Sequence, residues 1–347
     1  MATVATSAPR LTSVVVASAS DAASRYLAAR ELAALAPGFA PHTSMNLHFF
    51  GGRTIEHLTF THVYLGGKAA WQQDDISAID ASLSASMEDP HLNNVIAQYF
   101  KDGKATAAFK PSRVLEGPLP MRVFRDTIEG FVAGLDQSNG LSGFNLGSSV
   151  FCFMLPKGTV LVDGNSTDVA KHHAKHDEHD DDGDHHERGG SVASHERDEA
   201  SDSKHGLGGY HGSIHAKRGS GTDTVYYAVG VYSEGTNGIV AFDKPWKNVC
   251  ATFYHELQEA RTDPDVEDAI RAGNDPHADD FLGWYSPRGG EIGDIPLDEA
   301  GPDLGTVMEE VPLVKGGTAP IQLMWSNAVG GPEGPISAKH TAAKAKV

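Results

Sequence analysis

The hydrophobic residues of this chain recur at two spacings. Steps of three and four residues, as in Ile76, Ile79 and Leu83, are typical of a helix with one buried face. Continuous apolar or β-branched runs are typical of strands buried in a sheet. The first spacing predicts helices at 21–35, 74–87, 89–100, 126–135 and 245–263. The second predicts strands at 58–65, 148–155, 225–232 and 320–325, and the two together predict an α/β domain.

The composition changes abruptly in the middle of the chain. The segment 171–205 contains eight histidines, eleven acidic and five basic residues, with almost no apolar side chains. Such a segment cannot bury enough apolar surface to offset its conformational entropy, so we predict a disordered insertion there. The rest divides into a weakly structured leader at 1–43, a single domain at 44–336 and a frayed tail at 337–347.

Charge and composition exclude several classes of protein. The net charge is −18, from 46 acidic and 28 basic residues, and no basic stripe is present, which argues against a nucleic-acid partner. We find neither a clear signal peptide nor an apolar stretch long enough to span a bilayer. Cys152 and Cys250 both lie in apolar segments, which favours two buried free thiols.

The segment 245–263 combines an apolar stripe with a polar pair one turn apart. The stripe consists of Trp246, Val249, Cys250, Phe253, Tyr254, Leu257 and Ala260. At 100° per residue His255 and Glu259 point away from it, one above the other, on what we expect to be the exposed side. Glu256 lies at the flank, between the stripe and the pair.

This geometry suits zinc-dependent hydrolysis. Two ligands one turn apart, His255 and Glu259, can hold one zinc ion, which activates a water molecule. Glu256, directly after the histidine, would accept the proton of that water. The same letters recur at 195–199, but no apolar periodicity surrounds them, so we exclude that copy. The alternative for the first pair is an ordinary solvated polar face.

Three downstream acids are candidates for a third zinc ligand. Asp263 lies one turn beyond Glu259, but Pro264 favours a non-helical conformation for the residue before it. Glu291 and Asp294 lie in a glycine-rich loop that can fold back onto the helix. The sequence leaves the three open, and ordinary surface acids are the alternative for each.

Several segments, taken in order, resemble the plant phosphate-induced/EXORDIUM-like proteins and their bacterial relatives that carry a peptidase-like helix. The matching segments are 45–51, 62–65, 150–155, 209–212, 226–229, 255–260, 262–264, 283–284, 290–294 and 325–327. The resemblance implies a zincin-like fold with a mixed sheet, a zinc metallopeptidase acting on a peptide or protein substrate, and export from the cell. The relatives often carry a cysteine near the last two motifs, which this chain lacks.

His211 recurs in the resemblance and lies four residues before His215. If the segment is extended, both side chains point to the same side, and His211 is then a candidate to contact substrate or support a ligand. The alternative is a strand-edge histidine paired with backbone. Two other functions remain open: a non-catalytic cell-surface or cell-wall module, and metal binding through the histidine-rich segment 171–205.

Overall fold

The computed structural model of this chain describes residues 34–166, 201–218 and 221–334. Within these ranges the helices are α1 (Gln73–Met87), α2 (Pro90–Ile96), α3 (Arg125–Gln137), α4 (Pro245–Thr262), α5 (Val266–Ala272) and α6 (Asp294–Ala300). The strands are β1 (His48–Phe49), β2 (His57–Tyr64), β3 (Thr106–Val114), β4 (Arg122–Phe124), β5 (Ser149–Leu155), β6 (Val160–Val162), β7 (Gly209–Arg218), β8 (Gly221–Val231), β9 (Trp284–Tyr285), β10 (Met308–Pro312), β11 (Thr318–Gln322), β12 (Met324–Ser326) and β13 (Gly331–Glu333). The α/β class is therefore confirmed.

Helical periodicity located three helices to within two residues of their ends: α1, α3 and α4. The helix predicted at 89–100 is shorter, because α2 ends at Ile96 and a 3-10 turn, Ala97–Tyr99, follows. Asp89 caps α2 by accepting the backbone N–H groups of His91 and Leu92, which offsets two of the donors left free at a helix start.

The remaining sequence predictions agree less closely with the structure. The strand predicted at 320–325 is divided between β11 and β12. The helix predicted at 21–35 lies outside the described residues except for its last two positions. There Leu35 forms an isolated β-bridge with Glu333, so the chain is extended at that point rather than helical.

The central sheet has five strands in the order β3-β2-β5-β8-β7. Strands β3, β2, β5 and β8 run parallel to one another, whereas β7 is antiparallel to β8 and forms one edge. The sheet is therefore mixed. Its antiparallel edge strand, which begins at Gly209, carries His211.

Helices cover both faces of this sheet. Along β5, Cys152 and Met154 pack in the cluster that includes residues of α1 and α4, whereas Phe151 and Phe153 pack in the cluster that includes α3. Burial on both faces explains why the β5 sequence is continuously apolar.

Both cysteines, Cys152 and Cys250, are buried and free, as predicted. None of the helices within the described ranges combines the length and apolar character that a membrane crossing requires.

The prediction that His255 and Glu259 lie on an exposed helix face is wrong. Every residue of α4 from Asn248 to Thr262 is buried. The apolar stripe faces α1 and β8, and the polar side lies beneath β7, β11 and the 290–294 loop. Apolar periodicity identifies the face that enters the core, but it does not show that other elements cover the opposite face.

The boundaries of the predicted insertion and leader also need correction. Asp202 and Ser203 are buried, and the Ser203 hydroxyl accepts the Leu161 N–H and donates to Asn237 Oδ1. Residues 201–205 therefore belong to the folded domain, while 171–200 lie outside the described residues. Within the predicted leader, the Ala36 N–H donates to the Pro332 carbonyl, so the domain begins before residue 44.

Candidate metal centre

Four separate parts of the chain meet at the polar side of α4. The helix itself supplies His255, Glu256 and Glu259, and it ends at Thr262 because Pro264 disfavours a helical conformation for Asp263. The other contributions are His211 from β7, residues 290–294 before and at the start of α6, and Gln322 from β11.

A side-chain amide fixes the orientation of His255. Gln322 donates its Nε2–H to the Gly293 carbonyl at 2.6 Å, which places its Oε1 2.9 Å from His255 Nδ1. His255 therefore carries a hydrogen on Nδ1 and donates it to Gln322. The other ring nitrogen, Nε2, faces Glu259 Oε2 at 3.0 Å and Asp294 Oδ1 at 3.8 Å.

Backbone amides hold Glu259 in the same way. The N–H groups of Gly293 and Asp294 both donate to Glu259 Oε1 at 3.1 Å, which leaves Oε2 directed at His255. Gly293 allows this close approach, because a Cβ atom there would lie 2.5 Å from His255 Nδ1 and 3.0 Å from Glu259 Oε1. Only glycine fits at this position without displacing either side chain.

Of the three acids predicted as a third ligand, the structure brings Asp294 to the pair formed by His255 and Glu259. One ligand atom from each of these three residues lies within 4.8 Å of the other two. A tetrahedral zinc site with bonds near 2.0–2.1 Å needs separations of about 3.3 Å between ligand atoms. The separations from His255 Nε2, 3.0 and 3.8 Å, bracket that value.

The other two acids face His211 instead. Glu291 Oε1 lies 3.7 Å from His211 Nε2. Asp263 uses its Oδ1 to accept the Gly283 N–H at 2.8 Å, and its backbone carbonyl lies 3.2 Å from His211 Nε2. Glu291 Oε1 and Asp263 Oδ2 are buried without a hydrogen-bond partner.

Glu256 and His211 face each other beside the triad of His255, Glu259 and Asp294. His211 Nδ1 lies 3.7 Å from Glu256 Oε2 and 3.8 Å from Glu259 Oε2. As predicted for an extended segment, His211 lies on a strand, but it is buried, whereas His215 is exposed and pairs with Asp268.

The cluster holds more negative groups than its partners can neutralise. Burial raises the pKa of Asp263 to about 8, and it raises the pKa of Glu291 well above the usual range, with neighbouring carboxylates adding to the effect. Burial and the charge of Glu259 raise the pKa of Asp294 to about 7, although about a third of its side chain faces solvent. Burial also raises the pKa of Glu256.

The two histidines are the only cationic groups within 4.0 Å of these carboxylates among the described residues. Burial by itself would lower the pKa of His255, but the charge of Glu259 and the hydrogen bond to it outweigh burial and raise that pKa well above its ordinary value. A proton on His255 thus takes the place that a metal cation would take, and binding of the cation would release it.

A cleft of about 300 Å³ opens onto the cluster. Its walls include His255, Glu256, Glu291 and Asp294, together with the glycine-rich segment 206–209. A larger surface cavity, of about 440 Å³, is lined by parts of 136–147 and by Asp223, and it contains no residue of the cluster. Two of the three potential ligands, His255 and Asp294, therefore line a cleft.

Gln322 is a site residue that the sequence did not single out. It lies at the end of β11, in a run that is otherwise apolar, and its amide contacts both His255 and Gly293. An isolated polar residue in a buried strand must find a hydrogen-bond partner, and that is the signal that identifies it.

The second copy of the motif, at 195–199, lies outside the described residues.

Comparison of the chain with protein-family models, with curated proteins and with solved structures gave no match. The chemistry of this centre therefore has to be inferred from its own geometry, burial and charge.

Proposed function

We propose that this chain is a zinc-dependent hydrolase that cleaves peptide bonds, with a zincin-like arrangement of its metal helix and mixed sheet. One observation carries the proposal. His255 Nε2, Glu259 Oε2 and Asp294 Oδ1 converge, while Gln322 holds the far side of the imidazole and two backbone N–H groups hold the far side of the Glu259 carboxylate.

The donor set suits zinc. Catalytic zinc sites use three protein ligands drawn from histidine and carboxylate groups, and they keep a fourth position open. Their histidines donate the other ring N–H to an oxygen, as His255 does to Gln322 Oε1. Zinc bound here would polarise a substrate carbonyl and acidify a water molecule. His255 and Asp294 line the cleft, so a substrate bound in the cleft would lie beside these ligands.

Glu256 is positioned to act as the general base. It follows His255 directly and lines the same cleft as His255 and Asp294. Burial, together with the charge of Glu259, raises its pKa, and the nearby His211 and His255 oppose that shift. A carboxylate with a raised pKa accepts and returns a proton more readily near neutral pH than an ordinary glutamate does.

The choice of a peptide substrate rests on the resemblance to the peptidase-like relatives and on the form of the cleft. The cleft is lined on one side by the segment 206–209, which contains three glycines and leads into β7. A backbone with few side chains can approach an extended substrate closely.

Glu256→Gln tests the proposed reaction. Glutamine keeps the size of the side chain but cannot accept the proton, so turnover of an unfolded protein substrate should fall by at least about a hundredfold. The zinc held by His255, Glu259 and Asp294 should remain. Glu299→Gln is the matched control, because Glu299 lies on α6, pairs with His42 and does not line the cleft. Zinc binding without hydrolysis in the wild-type protein would contradict the proposal and favour a non-catalytic module.

A further inference from the structure

Four acceptor oxygens lie near the two ring nitrogens of His211. Nε2 faces the Asp263 carbonyl at 3.2 Å and Glu291 Oε1 at 3.7 Å. Nδ1 faces Glu256 Oε2 at 3.7 Å and Glu259 Oε2 at 3.8 Å. With the Nε2 hydrogen donated to the Asp263 carbonyl, the lone pair of a neutral ring points from Nδ1 towards two carboxylates. Such an arrangement requires a cation between these atoms, either a proton or a metal ion.

We propose that His211 Nδ1, one carboxylate oxygen of Glu256 and Glu259 form a second metal site, so that the centre holds two divalent cations bridged by Glu259, while the other oxygen of Glu256 stays free to accept a proton. This inference rests on the proposed function, because it adds an ion to the same centre. The described residues form two groups of three potential ligands, one with His255 and one with His211, and Glu259 belongs to both. Sharing one carboxylate between two ions is a means of holding them about 3.5–4 Å apart, as in two-metal hydrolases.

The two histidines are supported in the same way. His255 donates its far N–H to the Gln322 side-chain carbonyl, and His211 donates its far N–H to the Asp263 backbone carbonyl. Holding the second ring nitrogen with an oxygen acceptor is the common feature of histidines that bind metals. His215, four residues along the same strand, lacks this environment because it is exposed.

Unpaired polar atoms supply an independent observation. Glu291 Oε1 approaches the His211 ring, and the buried Glu291 side chain leaves this oxygen without a hydrogen-bond partner. Together with Asp263 Oδ2, it adds acceptor oxygens beside a histidine that is the only cationic group there among the described residues. Glu291 Oε1 lies on the Nε2 side of the ring, away from the proposed ion at Nδ1, so it adds negative charge beside the second site rather than a ligand.

The test counts tightly bound zinc in the full chain by elemental analysis, after dialysis at a buffered free zinc concentration of about 1 nM. Wild-type protein should hold one ion more than His211→Ala. His215→Ala is the matched control on the same strand and should equal the wild type. All variants contain the segment 171–200, so any zinc bound there contributes equally to each count and does not affect the difference between them. Glu256→Gln, which keeps the side-chain volume, should lose the same single ion.

Equal zinc counts in the wild type, His211→Ala and Glu256→Gln would overturn the second site. If His255→Ala still lost one ion in that case, the proposed hydrolase centre would stand with a single metal. If His255→Ala also lost none, both proposals would fail. Cobalt substitution adds a readout that does not depend on folding of the variants. Two cobalt ions sharing Glu259 couple magnetically and weaken the electron paramagnetic resonance signal per ion, whereas an isolated ion gives its full signal and contradicts the second site.

Discussion

Within the described residues, a partly buried cluster around Asp80 and a buried cluster around His255 both combine histidine with carboxylate, and they differ in their balance of donors and acceptors. Around Asp80, three donors converge on one carboxylate: His62 Nδ1 at 2.7 Å, the Tyr64 hydroxyl at 2.8 Å and the Ser112 hydroxyl at 2.5 Å. Around His255, five carboxyl groups share two histidines and a few backbone N–H groups. The Asp80 carboxylate has its full set of donors, although His62 Nε2 is buried without a partner, whereas the carboxyl groups around His255 outnumber their donors.

The pKa shifts of Asp80 and Asp263, one from each cluster, have opposite directions. Burial would raise the pKa of Asp80, but the hydrogen bonds and charge of His62, with Ser112 and Tyr64, lower it below its ordinary value. Burial raises the pKa of Asp263, and donors there are too few to reverse it. Burial and residue type are common to both clusters. The ratio of donors to acceptors is what distinguishes a structural network from a centre that requires a cation.

The largest effect on stability should come from the cluster around Asp80. Asp80→Ala leaves the buried donors of His62 and Tyr64, and the Ser112 hydroxyl, without their acceptor, so we expect a loss of about 2–4 kcal/mol in the free energy of unfolding by urea. Bound zinc should not change. Asp102→Ala, in an exposed turn, is the control and should stay within about 0.5 kcal/mol of the wild type. Loss of zinc from folded Asp80→Ala would show that the two clusters are not independent.

A change in the cluster around His255 should affect metal affinity before stability. Gly293→Ala places a Cβ atom 2.5 Å from His255 Nδ1, so the imidazole or the loop must move. We expect zinc affinity to fall by about 10–100-fold, the range found when groups that orient metal ligands are changed. Competition titration against a chelator measures this. Gly130→Ala in α3, where no atom lies within 4 Å of the added Cβ, should keep full affinity. An unchanged affinity in Gly293→Ala would argue that His255 is not held as described.

The pH dependence of stability should have opposite signs in the two clusters. Asp263 keeps its proton to about pH 8 in the folded protein, whereas the unfolded chain releases it near pH 3.9. Without metal, its contribution to stability is therefore present at low pH and lost as the pH rises towards 8. Asp263→Asn removes this loss, so at pH 9 the metal-free variant should be more stable than the wild type by about 1 kcal/mol or more.

Asp80 supplies the comparison, because its pKa is lowered on folding. Its contribution is present above the unfolded pKa and is lost as the pH falls through the folded value. Asp80→Asn should therefore be less stable than the wild type at neutral pH and approach it in acid. Urea unfolding in a chelating buffer across pH 3–9 measures both variants. If the free energy of unfolding changed with pH in the same way for Asp263→Asn and the wild type, the buried Asp263 would not be protonated as described.

Much of the fold follows from local sequence, but the cover over α4 does not. Spacing of apolar residues located α1, α3 and α4, because helix burial repeats every three or four positions. The surroundings of His255 come from β7, the 290–294 loop and β11, each more than 30 positions away. Contacts at that separation leave no periodic signal, so the sequence predicted an exposed polar face.

The set of acids around the centre was predictable, but their partners were not. Glu291 and Asp294 are three residues apart, yet Asp294 lies near His255 and Glu291 near His211, in a segment that Glu259 and Gln322 hold through Gly293. Composition likewise placed 201–205 in the insertion. Ser203 is held in the domain by hydrogen bonds to Leu161 and Asn237, and composition gives no information about partners so far along the chain.

The count of zinc ions in His255→Ala tests the central claim most directly. Full-length wild type, His255→Ala and His62→Gln are dialysed at about 1 nM free zinc and analysed for bound metal. If the centre on α4 requires a cation, His255→Ala loses at least one ion relative to the wild type, and His62→Gln, changed in the cluster around Asp80, retains all of them. Equal zinc in wild type and folded His255→Ala would contradict the account.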